Sequence, residues 1–164
     1  MGILATLAFS SLRQQVRAAA ATEALNVVQS IRAAQERYRS EHMMYLDVST
    51  NGAWYPRDPR AATRDTVQSF YYAPNDDTHG DNLKWLALRP TVPGPVRFGY
   101  IVNAGTAGAT MTAAVLPGPA VVWPTPTDNW YVIQAVGDVD WDGRASYYRA
   151  SSLGGEVFTQ DHGE

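Results

Sequence analysis

Residues 3–44 contain neither proline nor glycine, and alanine, glutamine, arginine, glutamate and leucine dominate the stretch. That composition favours one uninterrupted helix, because none of these residues breaks the backbone ladder and most lose little side-chain freedom in it. At 1.5 Å per residue such a helix is about 60 Å long, twice the diameter of a small domain. Its first half must therefore project. In the second half Ala24, Val27, Val28, Ile31, Ala34 and Tyr38 recur at three- and four-residue steps. They form one apolar stripe, with Arg32, Glu36, Arg37 and Arg39 expected on the opposite side. Upstream, Ile3, Leu4, Leu7, Phe9, Leu12 and Val16, followed by the alanines at 18–21, spread apolar surface around the cylinder. A helix of that kind needs neighbours on several sides.

The rest of the chain has to supply the surface on which the stripe packs. Its 164 residues suit one domain rather than two. Residues 45–96 read as a connecting region with little periodicity, punctuated by Asn51-Gly52, Pro56, Asp58-Pro59 and Asn75-Asp76-Asp77, with a short ordered piece at 67–72. From 97 onward, runs rich in valine, isoleucine, tyrosine, tryptophan and threonine at 97–102, 110–116, 120–123, 130–136 and 145–149 alternate with glycine- and proline-containing turns. This spacing predicts an antiparallel meander. The expected architecture is α+β, with a long N-terminal α-helix (1–44) packed on an antiparallel β-sheet head (97–164) in one domain.

Charge and cysteine content remove several functions. With 13 basic and 16 acidic residues, net −3, there is no electrostatic footprint for a nucleic-acid backbone. The absence of cysteine excludes disulfides, thiolate metal sites and cysteine nucleophiles. The apolar run at 3–9 is far shorter than the ~20 residues that cross a bilayer, and no basic segment precedes it as in a signal peptide. No serine lies in a nucleophile elbow, the three histidines have no paired metal-ligand spacing and read as surface residues, and residues 105–108 lack the lysine of a phosphate loop. An enzyme is not expected.

One constellation could hold a ligand. In Asp138-Val139-Asp140-Trp141-Asp142-Gly143 alternate carboxylates can converge on a hard cation, and glycine at the sixth position permits the turn that calcium loops need. Asp138, Asp140 and Asp142 would be ligands, with the Arg144 carbonyl and the Ser146 hydroxyl as supplements. Arg149 stands where an EF-hand carries its bidentate glutamate. The competing account is a hairpin turn at Asp142-Gly143 with solvated aspartates. The stretch Asp76-Asp77-Thr78-His79-Gly80-Asp81 reads as a polar loop. The aromatic residues read as sheet core or subunit interface.

The order Gly2-Ile3-Leu4-Ala5-Thr6-Leu7-Ala8, Glu23-Ala24, Ile31-Arg32-Ala33-Ala34-Gln35 and Tyr38-Arg39-Ser40-Glu41 resembles the N-terminal helix of type IV pilins and type II secretion pseudopilins. The resemblance implies a structural subunit that polymerises through Ile3, Leu4, Leu7, Phe9, Leu12 and Val16, with Ala24, Val28, Ile31 and Tyr38 packing the helix on the head. It implies identical or homologous pilin subunits and an assembly machinery as partners, and the inner membrane and periplasm before assembly into an extracellular filament. It also raises the calcium reading, since pseudopilin heads carry similar loops. The family's cleavage motif, its methylated first residue and the nearby glutamate are absent, so the chain is expected to begin inside the full helix. The family's C-terminal disulfide is absent too, and the C-terminal loop needs another clasp. The alternative is a calcium-dependent extracellular binding or adhesion module that forms no filament.

Overall fold

A computed structural model describes residues 2–50, 52–58, 67–71, 79–111, 122–139 and 143–160, with the backbone alone at 2–14 and at 160. Helix α1, Gly2–His42, runs 41 residues without interruption. It ends where Met43 turns left-handed at φ 61° and its N–H donates to the Arg39 carbonyl at 2.8 Å. Arg39 and His42 in the last turn complement the negative end of the helix dipole.

The chain then returns in extended form alongside a four-stranded antiparallel sheet, β1 Gly99–Gly105, β2 Trp130–Gly137, β3 Ser146–Ser151 and β4 Val157–Gln160, ordered as in the sequence. This is the α+β layout of one long N-terminal helix on an antiparallel meander. Ala20, Ala24, Val27, Val28, Ile31 and Ala34 pack in one cluster with Tyr100, Val102, Tyr131, Ile133, Ala135, Tyr148 and Ala150 of the sheet. The opposite sheet face is covered as well, by Trp54 over Ile101, Val136 and Tyr147, and by Trp123 beside Met111, Trp130 and Val132. Covered on both faces, β2 is buried at every position.

Several local expectations need correction. Residues 45–96 include a second helix, α2 Asn82–Leu88. Two turns carry too little periodicity to stand out, and no side chain caps its start. Packing holds it instead: the Trp85 ring stacks on Tyr55 at 4.9 Å and meets the edge of Phe70 at 5.3 Å. Strand β1 starts at Gly99 rather than 97, because the Arg97 N–H is taken by Glu23 Oε1 of α1 at 2.6 Å. At 110–116 and 120–123, Thr110, Met111, Val122 and Trp123 are not in strands, and 112–121 lie outside the described residues. The short β4 was not foreseen; four residues give period two hardly a full repeat.

Candidate functional site: the joint between helix and head

The C-terminal half of α1 is joined to the head by more than its apolar stripe. Gln35 occupies a stripe position between Ile31 and Tyr38 and is fully buried. Its amide pairs with the backbone of Leu46 in both directions. Nε2 donates to the Leu46 carbonyl at 2.8 Å, and the Leu46 N–H donates to Oε1 at 2.9 Å. The side chain thus acts as a strand partner for the returning chain, satisfying groups that would otherwise be buried unpaired.

On one flank, Glu23 receives both the Arg97 N–H and the Arg97 guanidinium, the latter at 3.1 Å. The Ser30 hydroxyl donates to the Thr91 carbonyl at 2.7 Å, and Arg37 donates to the carbonyls of Leu88 and Arg89 at the C-terminal end of α2. A cation there suits the dipole of that helix. On the other flank, Arg32 donates to the carbonyls of Ser151, Gly154 and Gly155 in the β3–β4 turn, at 3.2, 2.5 and 2.9 Å. Arg32 thus clasps the β3–β4 hairpin to α1. Arg39 donates to the Tyr45 hydroxyl and to Asp128, each at 2.9 Å, and the Tyr45 hydroxyl donates to Glu36. The hydrogen bond from Arg39 to Tyr45, with Asp128 nearby, raises the guanidinium above its ordinary value. The Asn129 N–H, followed by Arg39, holds the Asp128 carboxyl below its ordinary range. Arg32, Glu36, Arg37 and Arg39 therefore flank the stripe and tie down loops, rather than occupying a solvated far side as the helical periodicity suggested.

Of the residues expected to pack α1 on the head, Ala24, Val28 and Ile31 are completely buried, and Tyr38 is partly buried against the same cluster. Ile3, Leu4, Leu7, Phe9 and Leu12 lie on the helix where only the backbone is described. Val16 is 42% exposed, and among the described side chains Ala20 is the first of the helix to enter the core.

In the acidic loop, the Asp138 carboxylate accepts the Gly143 N–H at 3.1 Å, and Gly143 sits at φ 84°. The bond links the two described ends of the loop, and the left-handed φ makes glycine the natural residue at 143. Asp140 and Asp142 lie outside the described residues; Arg144 is exposed and Ser146 begins β3. Among the described residues no group of three histidine or acidic side chains could hold a metal ion, a statement that does not reach Asp140 and Asp142.

His79 is a further correction, since it is half-buried rather than superficial. Its Nδ1 accepts the Asp81 N–H at 3.2 Å, so Nε2 carries the proton and donates to the Trp54 carbonyl at 3.1 Å, while the ring meets Tyr55 edge-on. Asp81 is buried; Thr50 donates to its Oδ1 at 3.4 Å, and its Oδ2 is buried with no hydrogen bond. Burial raises this carboxyl above its ordinary value, the Lys84 cation opposing the shift.

Sequence reading missed Gln35, Glu23, Ser30 and the clasping role of Arg32. One signal was present: a lone glutamine on the apolar stripe four residues after Ile31. No protein-family model, curated protein or solved structure matches the chain.

Proposed function

We propose that this chain is a structural subunit of a type IV pilus-like or type II secretion pseudopilus filament, working by polymerisation through α1. The observation that carries the reading is the division of α1: the helix spans Gly2–His42, yet among the described side chains, from Gln15 on, its share of the head core begins at Ala20. About 27 Å of helix, at 1.5 Å per residue, precedes Ala20. Its sequence is apolar on several sides, so it has surface to bury. Neighbouring copies of the same helix are the natural cover.

The magnitudes are adequate. Burying Ile3, Leu4, Leu7, Phe9, Leu12 and Val16 at roughly 1.5–3 kcal/mol each gives about 9–18 kcal/mol per subunit before association costs, which are themselves about 4–15 kcal/mol. The polar clasps on both flanks of the packed half fit this role. A subunit that transmits load from a helical core to an outer head needs a joint that does not swing, and Gln35, Glu23, Arg32 and Arg37 fasten four separate segments of the head to one rod. No helix of the described residues is long and apolar enough to cross a membrane.

The test is assembly. The chain, supplied with a prepilin leader and N-terminal segment, is expressed in a host with a prepilin peptidase and assembly platform, and sheared fractions are viewed by electron microscopy with an antibody to the head. Labelled filaments are expected. A processed subunit that stays unassembled and joins no host filament overturns the proposal.

A further inference from the structure

Soft donor atoms are scarce in this chain. It holds no cysteine and four methionines, of which Met1 lies outside the described residues and Met111 is buried beside Trp130. The other two are consecutive, and both face solvent: Met43 is 80% exposed and Met44 53%. Methionine is among the residues most often buried, so two neighbouring thioethers in water need a reason. Packing supplies none, since neither belongs to a core cluster.

The backbone beneath them is fixed from both sides. The Met43 N–H donates to the Arg39 carbonyl at 2.8 Å, and Asn129 Nδ2 donates to the Met43 carbonyl at 3.1 Å. Met43 is left-handed at φ 61°, at a helix end where glycine or asparagine would be the easier choice. A long side chain stands there against that preference. The turn is thus a firm base carrying two flexible thioethers, each on three rotatable bonds.

The residue before them adds a third donor. His42 ends α1 with half of its side chain exposed, and its ring lies against Tyr38 at 4.1 Å. Among the described residues the ring makes no hydrogen bond, and Glu41 Oε2 stands 3.9 Å from Nε2. A carboxylate on that side favours the proton on Nε2 and leaves the lone pair of Nδ1, the nitrogen nearer the backbone, to a ligand.

We propose that His42, Met43 and Met44 bind a soft monovalent cation of the copper(I) and silver(I) class, through one imidazole nitrogen and two thioether sulfurs. Thioethers select such ions, whereas calcium and magnesium take oxygen donors. Consecutive Cα atoms are about 3.8 Å apart, so the three side chains start close enough to close on one ion by rotation alone. The electrostatics agree. The donors are neutral, Glu41 stands beside them, and the C-terminal end of α1 carries the negative end of the helix dipole. The neighbouring Arg39 cation is already held by Asp128 and Tyr45, each at 2.9 Å. The site lies at the end of α1 opposite the half assigned to assembly, and it stands or falls apart from the filament proposal.

The test uses the full chain in chloride-free buffer, with silver(I) added alone as the air-stable member of the class. Calorimetry is expected to find one equivalent bound. M43L/M44L changes two exposed positions, so it should melt as the parent does and lose that equivalent. H42Q is expected to weaken binding by more than the about tenfold that a merely supporting partner costs. With methyl-labelled methionine, silver should shift the Met43 and Met44 signals and leave that of Met111, while calcium should move none of them. A parent chain that takes up no silver overturns the inference. So does M43L/M44L that binds as the parent does, or calcium shifting the two methyls as silver does.

Discussion

Replacing Gln35 is the most informative single perturbation of the joint. The side chain is fully buried and holds both backbone groups of Leu46, at 2.8 and 2.9 Å. In Q35L the shape is nearly kept, so the cost comes mainly from the Leu46 N–H and carbonyl losing their partner. Each buried group left unsatisfied costs about 1–3 kcal/mol, which gives roughly 2–6 kcal/mol in all. In Q35E the acceptor for the N–H survives, but the donor is lost and a carboxylate faces the Leu46 carbonyl. That variant is expected to be at least as damaging near neutral pH. It should recover as the pH falls, since protonation supplies an O–H donor and removes the buried charge. Urea unfolding followed by fluorescence of the five tryptophans measures both. A loss below about 1 kcal/mol in Q35L, or a Q35E deficit that does not shrink toward acid pH, would refute the reasoning that this amide is a strand partner for the returning chain.

Arg32 holds three carbonyls of the β3–β4 turn; R32A should cost about 1–3 kcal/mol after allowance for solvent at the turn, and R32K, a point cation without the fork, should recover only part of it. Hydrogen exchange at Leu153 to Gly155 should accelerate in both. Gly105 and Gly137 lie so close under Trp130 and Phe98 that an added Cβ would sit 2.5 and 2.7 Å from the rings; G105A and G137A should each cost about 1–3 kcal/mol in thermal melts, whereas G94A, which has open space, should be neutral. Burial raises the Asp81 carboxyl above its ordinary 3.8; the folded state then holds that proton more tightly than the unfolded chain, so the group's contribution is present below its unfolded value and is lost as pH rises through the folded one. D81N removes this dependence, and its stability relative to the parent chain should improve from about pH 4 upward in denaturation series; a gap that moves the other way would contradict the assignment. A cation held by Asp138, Asp140 and Asp142 should raise the melting temperature on addition of calcium by an amount that D142N abolishes, and calorimetry on the two chains decides whether the loop is a site or a turn.

The legible parts of the fold were those written in long periodic patterns. Helix α1 stands out because forty consecutive residues agree, and the stripe from Ala24 to Tyr38 is visible because burial on one face imposes its period. Strands β2 and β3 are legible for the same reason on a shorter scale. What could not be read was made by tertiary partners. Helix α2 exists because Trp85 finds Tyr55 and Phe70, residues 30 and 15 positions upstream, and β1 begins where Glu23 stops claiming Arg97. The joint was half legible. Its apolar contacts follow from periodicity, but Arg32, Arg37 and Arg39 look like any solvated helix face until the carbonyls they meet are placed beside them. In the acidic loop Asp138 and Gly143 are joined by a hydrogen bond, while Asp140 and Asp142 lie outside the described residues.

The central claim is that the first half of α1 is assembly surface and forms no part of the head. It is tested most directly by pairing a melt with an assembly assay on one double variant, L7D/F9D. Both positions precede Ala20, the first of the described side chains of α1 to enter the core. The account predicts a head that melts as the parent does and a subunit that no longer enters filaments in the assembly host. Filaments labelled as strongly as with the parent chain, or a head that unfolds with the substitution, would contradict it.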